Sequence, residues 1–464
     1  MPGRVDGSRG YHLGGVVVDR SMKPNPFYVV DAGNSRILGF KSTASKKADL
    51  IIGQPDEVSG APNGDSNVGM FGPAARDRLC LFGVPGGSNI EEQFLSFHID
   101  VDDEGNLYVP DVYNNRVLVY YAPFSSATTG GKGDTLPDLV IGQPDFKSNA
   151  PNHGLGINRR DAASLNFRSH SSTMGVSVDR QGNVWVADGG NHRVLRFPKG
   201  KTTADLVLGQ SDFTTRITDA TSRTMSAPAG LAFAPDGVLA VADAGHNRVL
   251  VFRPPFTNGM SAALIIGQPD ETTISPGSAD NRFNGPRHAA IDSDGRLYVA
   301  DPGNNRVSIY SNVSALGRDP SPRILLTRLN GVLGVWVSPV TGEIWATDTR
   351  GGRVLRYPKF DTLFVQGDVS DANIRTGGAP LAVAQDPTGS PFIADSANRI
   401  AIHFPGLTAT NAANGLPRLA PGMYATLRPV RDAPTAGSRP TLHGDDASGS
   451  RRQPRQAVRQ AGAA

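Results

Sequence analysis

The chain is written in short runs where β-branched and aromatic residues alternate with small or polar ones. Glycine, asparagine or proline breaks each run within a few residues. A two-residue period of this kind belongs to strands with one buried face. Seven runs share one frame: FYVVDAGNSRILGF (27–40), LYVPDVYNNRVLVY (107–120), VWVADGGNHRVLRF (184–197), LAVADAGHNRVLVF (239–252), LYVADPGNNRVSIY (297–310), IWATDTRGGRVLRY (344–357) and PFIADSANRIAIHF (391–404). Each places an Asp before a tight turn and an Arg after it, as Asp31/Arg36, Asp111/Arg116, Asp188/Arg193, Asp243/Arg248, Asp301/Arg306, Asp348/Arg353 and, one residue shorter, Asp395/Arg399. Each is expected to be a β-hairpin.

A further short strand is expected before each hairpin: GVVVD (15–19), HIDVD (98–102), GVSVD (175–179), GLAFA (230–234), HAAID (288–292), GVWVS (334–338) and PLAVA (380–384). Another follows it, clearest in DLIIGQPD (49–56), DLVIGQPD (138–145), DLVLGQSD (205–212) and LIIGQPD (264–270). Repeats of this length that each supply four antiparallel strands predict an all-β chain closed as a single β-propeller. Seven hairpins favour seven blades, with six as the alternative. The organisation predicted is a propeller over 10–407, a linker or remnant of a C-terminal module over 408–427, and a disordered Arg/Pro/Ala-rich tail over 428–464.

The spacing of D-x-x-G-N-x-Y-V-A-D, x-G-N-x-R-V and the closing aromatic resembles the NHL-repeat family of propellers. The recurring IGQPD strand is similar to that of bacterial NHL-repeat proteins. The resemblance implies the fold and leaves the activity open, since one fold hosts many functions. It also implies an extracytoplasmic setting, although the chain as given shows no apolar signal segment. Localisation is therefore unassigned.

Composition narrows the classes. Glycine (54) and proline (35) approach a fifth of the 464 residues, which suits a turn-rich protein. No run nears the ~18 apolar residues of a membrane helix. One cysteine, Cys80, supports neither a disulfide framework nor a multi-cysteine metal site. The net charge of +3 is carried by the tail, where seven Arg face three Asp, so residues 1–427 sum to −1. A nucleic-acid partner is not expected of such a body, and a monomer is expected.

Candidate chemistry is sparse. An Asp–Arg pair found seven times reads as structure, the Asp accepting turn N–H groups and the Arg pairing with it. IGQPD lacks the Lys and following helix of a phosphate loop. Binding residues are expected where the repeats differ, in the insertions 57–95, 146–172, 213–226 and 271–285, which share one face. Arg159, Arg160, Arg282 and Arg287 are the candidate anion- or partner-binding residues there. At the start of the innermost strands stand Gly15, His98, Gly175, Gly230, His288, Gly334 and Pro380, and Asp100 follows His98 on the same strand side. Some NHL-like propellers are metal-dependent lyases or lactonases with channel histidines. The resemblance thus implies an alternative site of His98, Asp100 and His288, with calcium or zinc held by His98 and His288. Because these histidines fall in non-adjacent blades, they are expected to lie apart. His192 and His246 at hairpin tips are expected to be solvated. The leading expectation is a non-catalytic scaffold for a protein, peptide or carbohydrate, with no cofactor.

Overall fold

The computed structural model describes residues 13–402 apart from 46, 65–71, 82–95, 157, 168–172, 377, 387–388, 390 and 396–398, together with 407–411 and 425–429. Two compact units divide the chain, Met1–His403 and Phe404–Ala464. In the second, β29 (Leu407–Asn411) pairs antiparallel with β30 (Ala425–Pro429), so two strands stand where a linker or module remnant was expected. From residue 430 onward the expected tail lies outside the described residues.

The first unit is a β-propeller of four-stranded antiparallel blades. The blades run β1–β4 (Leu13–Val18, Phe27–Asp31, Arg36–Phe40, Leu50–Ile52) and β6–β9 (Asp100–Val101, Leu107–Asp111, Arg116–Tyr120, Leu139–Ile141). They continue as β10–β13 (Thr173–Val178, Val184–Asp188, Arg193–Phe197, Leu206–Leu208) and β14–β17 (Pro228–Phe233, Leu239–Asp243, Arg248–Phe252, Leu264–Ile266). The last two are β18–β21 (His288–Ile291, Arg296–Asp301, Arg306–Asn312, Ile324–Leu326) and β22–β25 (Val335–Val337, Ile344–Asp348, Arg353–Tyr357, Ala372–Arg375). Six complete blades correct the favoured count of seven. The seventh hairpin belongs to a three-stranded sheet, β26 (Pro380–Gln385), β27 (Pro391–Asp395) and β28 (Arg399–Ile402), and among the described residues no fourth strand pairs with β28. Its β26 lies beside β1. Phe392 of β27 meets Phe27 at 4.7 Å between ring centroids, and Phe27 stacks on Phe40 at 4.8 Å.

Local chemistry makes each blade. In every one of the six, the Asp and Arg of the hairpin are register partners, and the residue before the Arg closes the turn. In all six that residue is left-handed: Ser35, Asn115, His192, Asn247 and Asn305 have φ between 48° and 59°, and Gly352 has φ 64°. Asn adopts this conformation at small cost. The aromatic three positions before the Asp is buried between sheets, as Tyr28, Tyr108, Trp185, Tyr298, Trp345 and Phe392 show. One strand departs from the plan. The inner strand of the second blade is split at Ile99, and its first part, β5 (Ser96–His98), pairs in parallel with β10, setting His98 opposite Gly175. No helix among the described residues is long and apolar enough to cross a membrane.

Candidate functional site

At the hairpin-turn face the repeated Asp and Arg form buried ion pairs. Nε of the Arg lies 2.7 Å from the Asp carboxylate in Asp31/Arg36 and 2.8 Å in Asp111/Arg116, Asp188/Arg193 and Asp243/Arg248, all fully shielded. Asp301/Arg306 (3.2 Å) and Asp348/Arg353 (2.6 Å) are similar, the latter with its Arg partly exposed. Asp395 accepts the Gly378 N–H at 3.2 Å, while the Arg399 side chain lies outside the description.

The rest of each guanidinium ties down the insertions. Arg193 donates to the carbonyls of Phe213, Asp161 and Ser164, and Arg248 to those of Glu271, Thr221 and Thr224. The IGQPD glutamine completes the clamp. Gln54 donates to the carbonyls of Asn34, Ser35 and Ala61, and Gln143 to those of Asn114, Asn115 and Ala150. The Asp of the same motif opens the insertion as a turn, Asp56 accepting from Val58 and Ser59 N–H and Asp270 from Thr272 and Thr273 N–H. The described parts of the insertions thus form a fixed crown on which Val58, Leu155, Ile217 and Ile274 are exposed.

The candidate arginines are differently placed. Arg159 is exposed; Arg160 is buried and donates to the Thr214 carbonyl. Arg282 pairs with Asp319 at 2.8 Å, and Arg287 is half-buried, its N–H bonded to the Ala300 carbonyl. Nor are the turn histidines solvated. His246 is buried between Asp243 (3.0 Å) and the Thr218 carbonyl (2.8 Å), and His192 Nδ1 accepts the Ala227 N–H, burial pushing its imidazole down to about 4.

In the central channel the two remaining candidate histidines meet, contrary to the separation expected. The rings of His98 and His288 stack with centroids 4.3 Å apart and planes 27° from parallel. Two features explain the approach: β5 leaves its own sheet for β10, and the inner strands crowd together through glycine. A Cβ at Gly230 would fall 2.9 Å from His288 Cα, and one at Gly175 would fall 2.5 Å from the Ala229 carbonyl oxygen. His288 Nδ1 accepts the Val335 N–H at 3.2 Å, which leaves the ring proton on Nε2. Burial lowers His98 to about 4 and holds His288 well below the usual range, so both are neutral at pH 7. His98 Nε2 is closed to solvent with no hydrogen-bond partner. Asp100 accepts the N–H groups of Val101 and Val178 at 2.9 and 2.8 Å, and burial raises it to about 6.

These residues line one cavity of about 330 Å³, whose other walls include Val16, Trp336, Thr347 and Val383 and whose far end carries Arg20, Asp102, Asp103 and Gln385. Arg20 and Gln385 follow ordinary strand residues, and nothing in the sequence marked them as channel groups. The donors do not fit a metal ion. Stacked imidazoles aim their lone pairs along separate planes, His288 Nδ1 is already an acceptor, and among the described residues no three His, Cys, Asp or Glu side chains converge.

Blades set around a channel, with an irregular crown on one face, define a β-propeller. Three of its repeats, at residues 175–197, 225–252 and 283–310, match the NHL repeat sequence profile. A stretch of 139 residues, 29% of this chain, is 34% identical to peptidyl-glycine alpha-amidating monooxygenase A of Xenopus laevis, and the chain spans only 14% of that relative's length. Solved structures similar to it include catalytically inactive virginiamycin B lyase from Staphylococcus aureus with quinupristin, at 10% identity and TM-score 0.48 over 86% of this chain and 95% of that one. Kuenenia stuttgartiensis hydrazine synthase is similar at 11% identity and TM-score 0.49, over 87% and 97%.

Proposed function

We propose that this NHL-repeat propeller is a recognition scaffold whose crown binds a protein or peptide. The observation that carries the reading is the display of Val58, Leu155, Ile217 and Ile274 on insertions that buried arginines and glutamines hold in place. Preorganised apolar side chains avoid the ordering cost of binding, and apolar anchors ringed by polar loops suit a polypeptide better than a sugar. The test is a triple variant, Val58→Asp, Ile217→Asp and Ile274→Asp, used beside the wild type as bait in extract of the source cells. A polypeptide retained by the wild type and lost by a variant of unchanged Tm is the expected result. A retained set indifferent to the three charges refutes the crown.

A second reading, a lyase or hydrolase acting in the channel, draws support from His98, His288 and Asp100 sharing one cavity. Its metal-assisted form requires stoichiometric metal in purified protein that disappears in the His98→Ala, His288→Ala double variant. Because the residues do not fit an ion, the expected metal content is the same trace in both proteins.

A further inference from the structure

The channel cavity has a charge bias that the crown does not explain. Asp100, Asp102 and Asp103 face its outer end from β6 and the turn that follows, and the guanidinium of Arg20 stands among them with Asp386 nearby. Arg20 donates to the Gln385 carbonyl at 3.1 Å. Asp102 is consumed by its turn, accepting from the N–H groups of Glu104 and Asn106, the Asn106 amide and the Tyr108 hydroxyl. Asp100 is not, since each of its oxygens accepts one backbone N–H and keeps a further lone pair.

The inner end is neutral, with the stacked imidazoles of His98 and His288 and the unpartnered His98 Nε2. The walls between are the indole of Trp336 and the aliphatic groups of Val16, Leu381 and Val383. An anion entering this space would face several carboxylates against one guanidinium. A neutral apolar molecule would strip water from Asp100 and give nothing back. A cation with an apolar body satisfies both ends, and an ammonium beside an indole gains a further attraction.

We propose that the channel is a binding site for a small organic cation, a primary amine with a short aromatic or aliphatic body, its ammonium held by Asp100 and its body lying along Trp336 and Val383. The site is separate from the crown, so the triple crown variant retains it. The probe is phenethylamine, with 2-phenylethanol and 3-phenylpropionate as neutral and anionic counterparts, titrated by calorimetry and by tryptophan fluorescence into the full chain. Saturable one-to-one binding of the amine is expected, with the alcohol and the acid at least tenfold weaker. Asp100→Asn weakens the amine at least tenfold. Lowering the pH from 7.5 to 5 weakens it in the wild type, because Asp100 gains its proton while His98 and His288 remain uncharged through most of that range. Should Asp100→Asn fail to fold, Ala382→Arg, which puts a fixed cation into the cavity wall, abolishes binding in its place. Absence of saturable amine binding, or an alcohol or acid that binds as well as the amine, overturns the proposal.

Discussion

At the scale of the residue, the same position does different work according to its neighbours. In three blades the aromatic before the hairpin Asp bonds the carboxylate of the preceding turn, Tyr108 to Asp102, Trp185 to Asp179 and Tyr298 to Asp292. In the first blade, by contrast, the Tyr28 hydroxyl is buried without a partner, although Asp19 holds the same position and accepts from the Ser21 N–H. In the sixth blade Ser338 takes that position and bonds Gln385 instead, leaving Trp345 Nε1 buried and unpartnered. His98 shows the same dependence through its protonation. Its folded pKa of about 4 lies below the unfolded ~6.5, so the unfolded chain binds the extra proton as the pH falls between those values and stability is lost there. His98→Gln lacks this contribution. The stability difference between wild type and variant, followed by urea unfolding from pH 7.5 to 4.5, is expected to move against the wild type by up to ~2 kcal/mol. Asp100 titrates in both proteins and cancels.

At the scale of the element, the hairpin and the insertions beside it are one unit held by a single guanidinium. Removing one partner of a buried pair leaves the other charge uncompensated, at a cost of about 3–5 kcal/mol. Arg193→Met strands Asp188 and frees the carbonyls of Asp161, Ser164 and Phe213. A loss of that size in urea unfolding is expected, with faster amide exchange in the flanking insertions. The Arg353 side chain is 29% exposed, so water takes over its role, and Arg353→Met is expected to cost only about 1 kcal/mol. Equal losses in the two variants would mean that the clamps do not act through burial. The pairing and the aromatic register are both legible in the sequence, because each is set within fourteen residues and then repeated. The engagement of Arg160 and Arg282 by Thr214 and Asp319 is not, because those partners come from another insertion and from the loop between β20 and β21.

At the scale of the whole molecule, the seam between the three-stranded sheet and the first blade joins the two ends of the propeller. Leu13, Val16, Val18, Phe27, Phe40, Ala384 and Phe392 form its apolar cluster. Phe392→Ala removes the ring that touches Phe27, with an expected cost of about 3–5 kcal/mol. Hydrogen exchange is expected to show β1 and β26–β27 losing protection before the blades on the far side. Uniform loss around the ring would show instead that the seam is no weaker than any other junction.

The alternation of small and branched residues, the Asp–Arg hairpins and the IGQPD strands determined the all-β blade and its repetition from sequence alone, since each blade is made by contacts among near neighbours. The tertiary structure decided what those blades became together: six complete blades and a three-stranded sheet, a split inner strand in the second blade, and His98 carried onto His288. Strand pairing between β5 and β10, and the close approach that Gly175 and Gly230 permit, join residues far apart in the chain. Local pattern carries no record of such distances, so the channel and its chemistry came into view only with the fold.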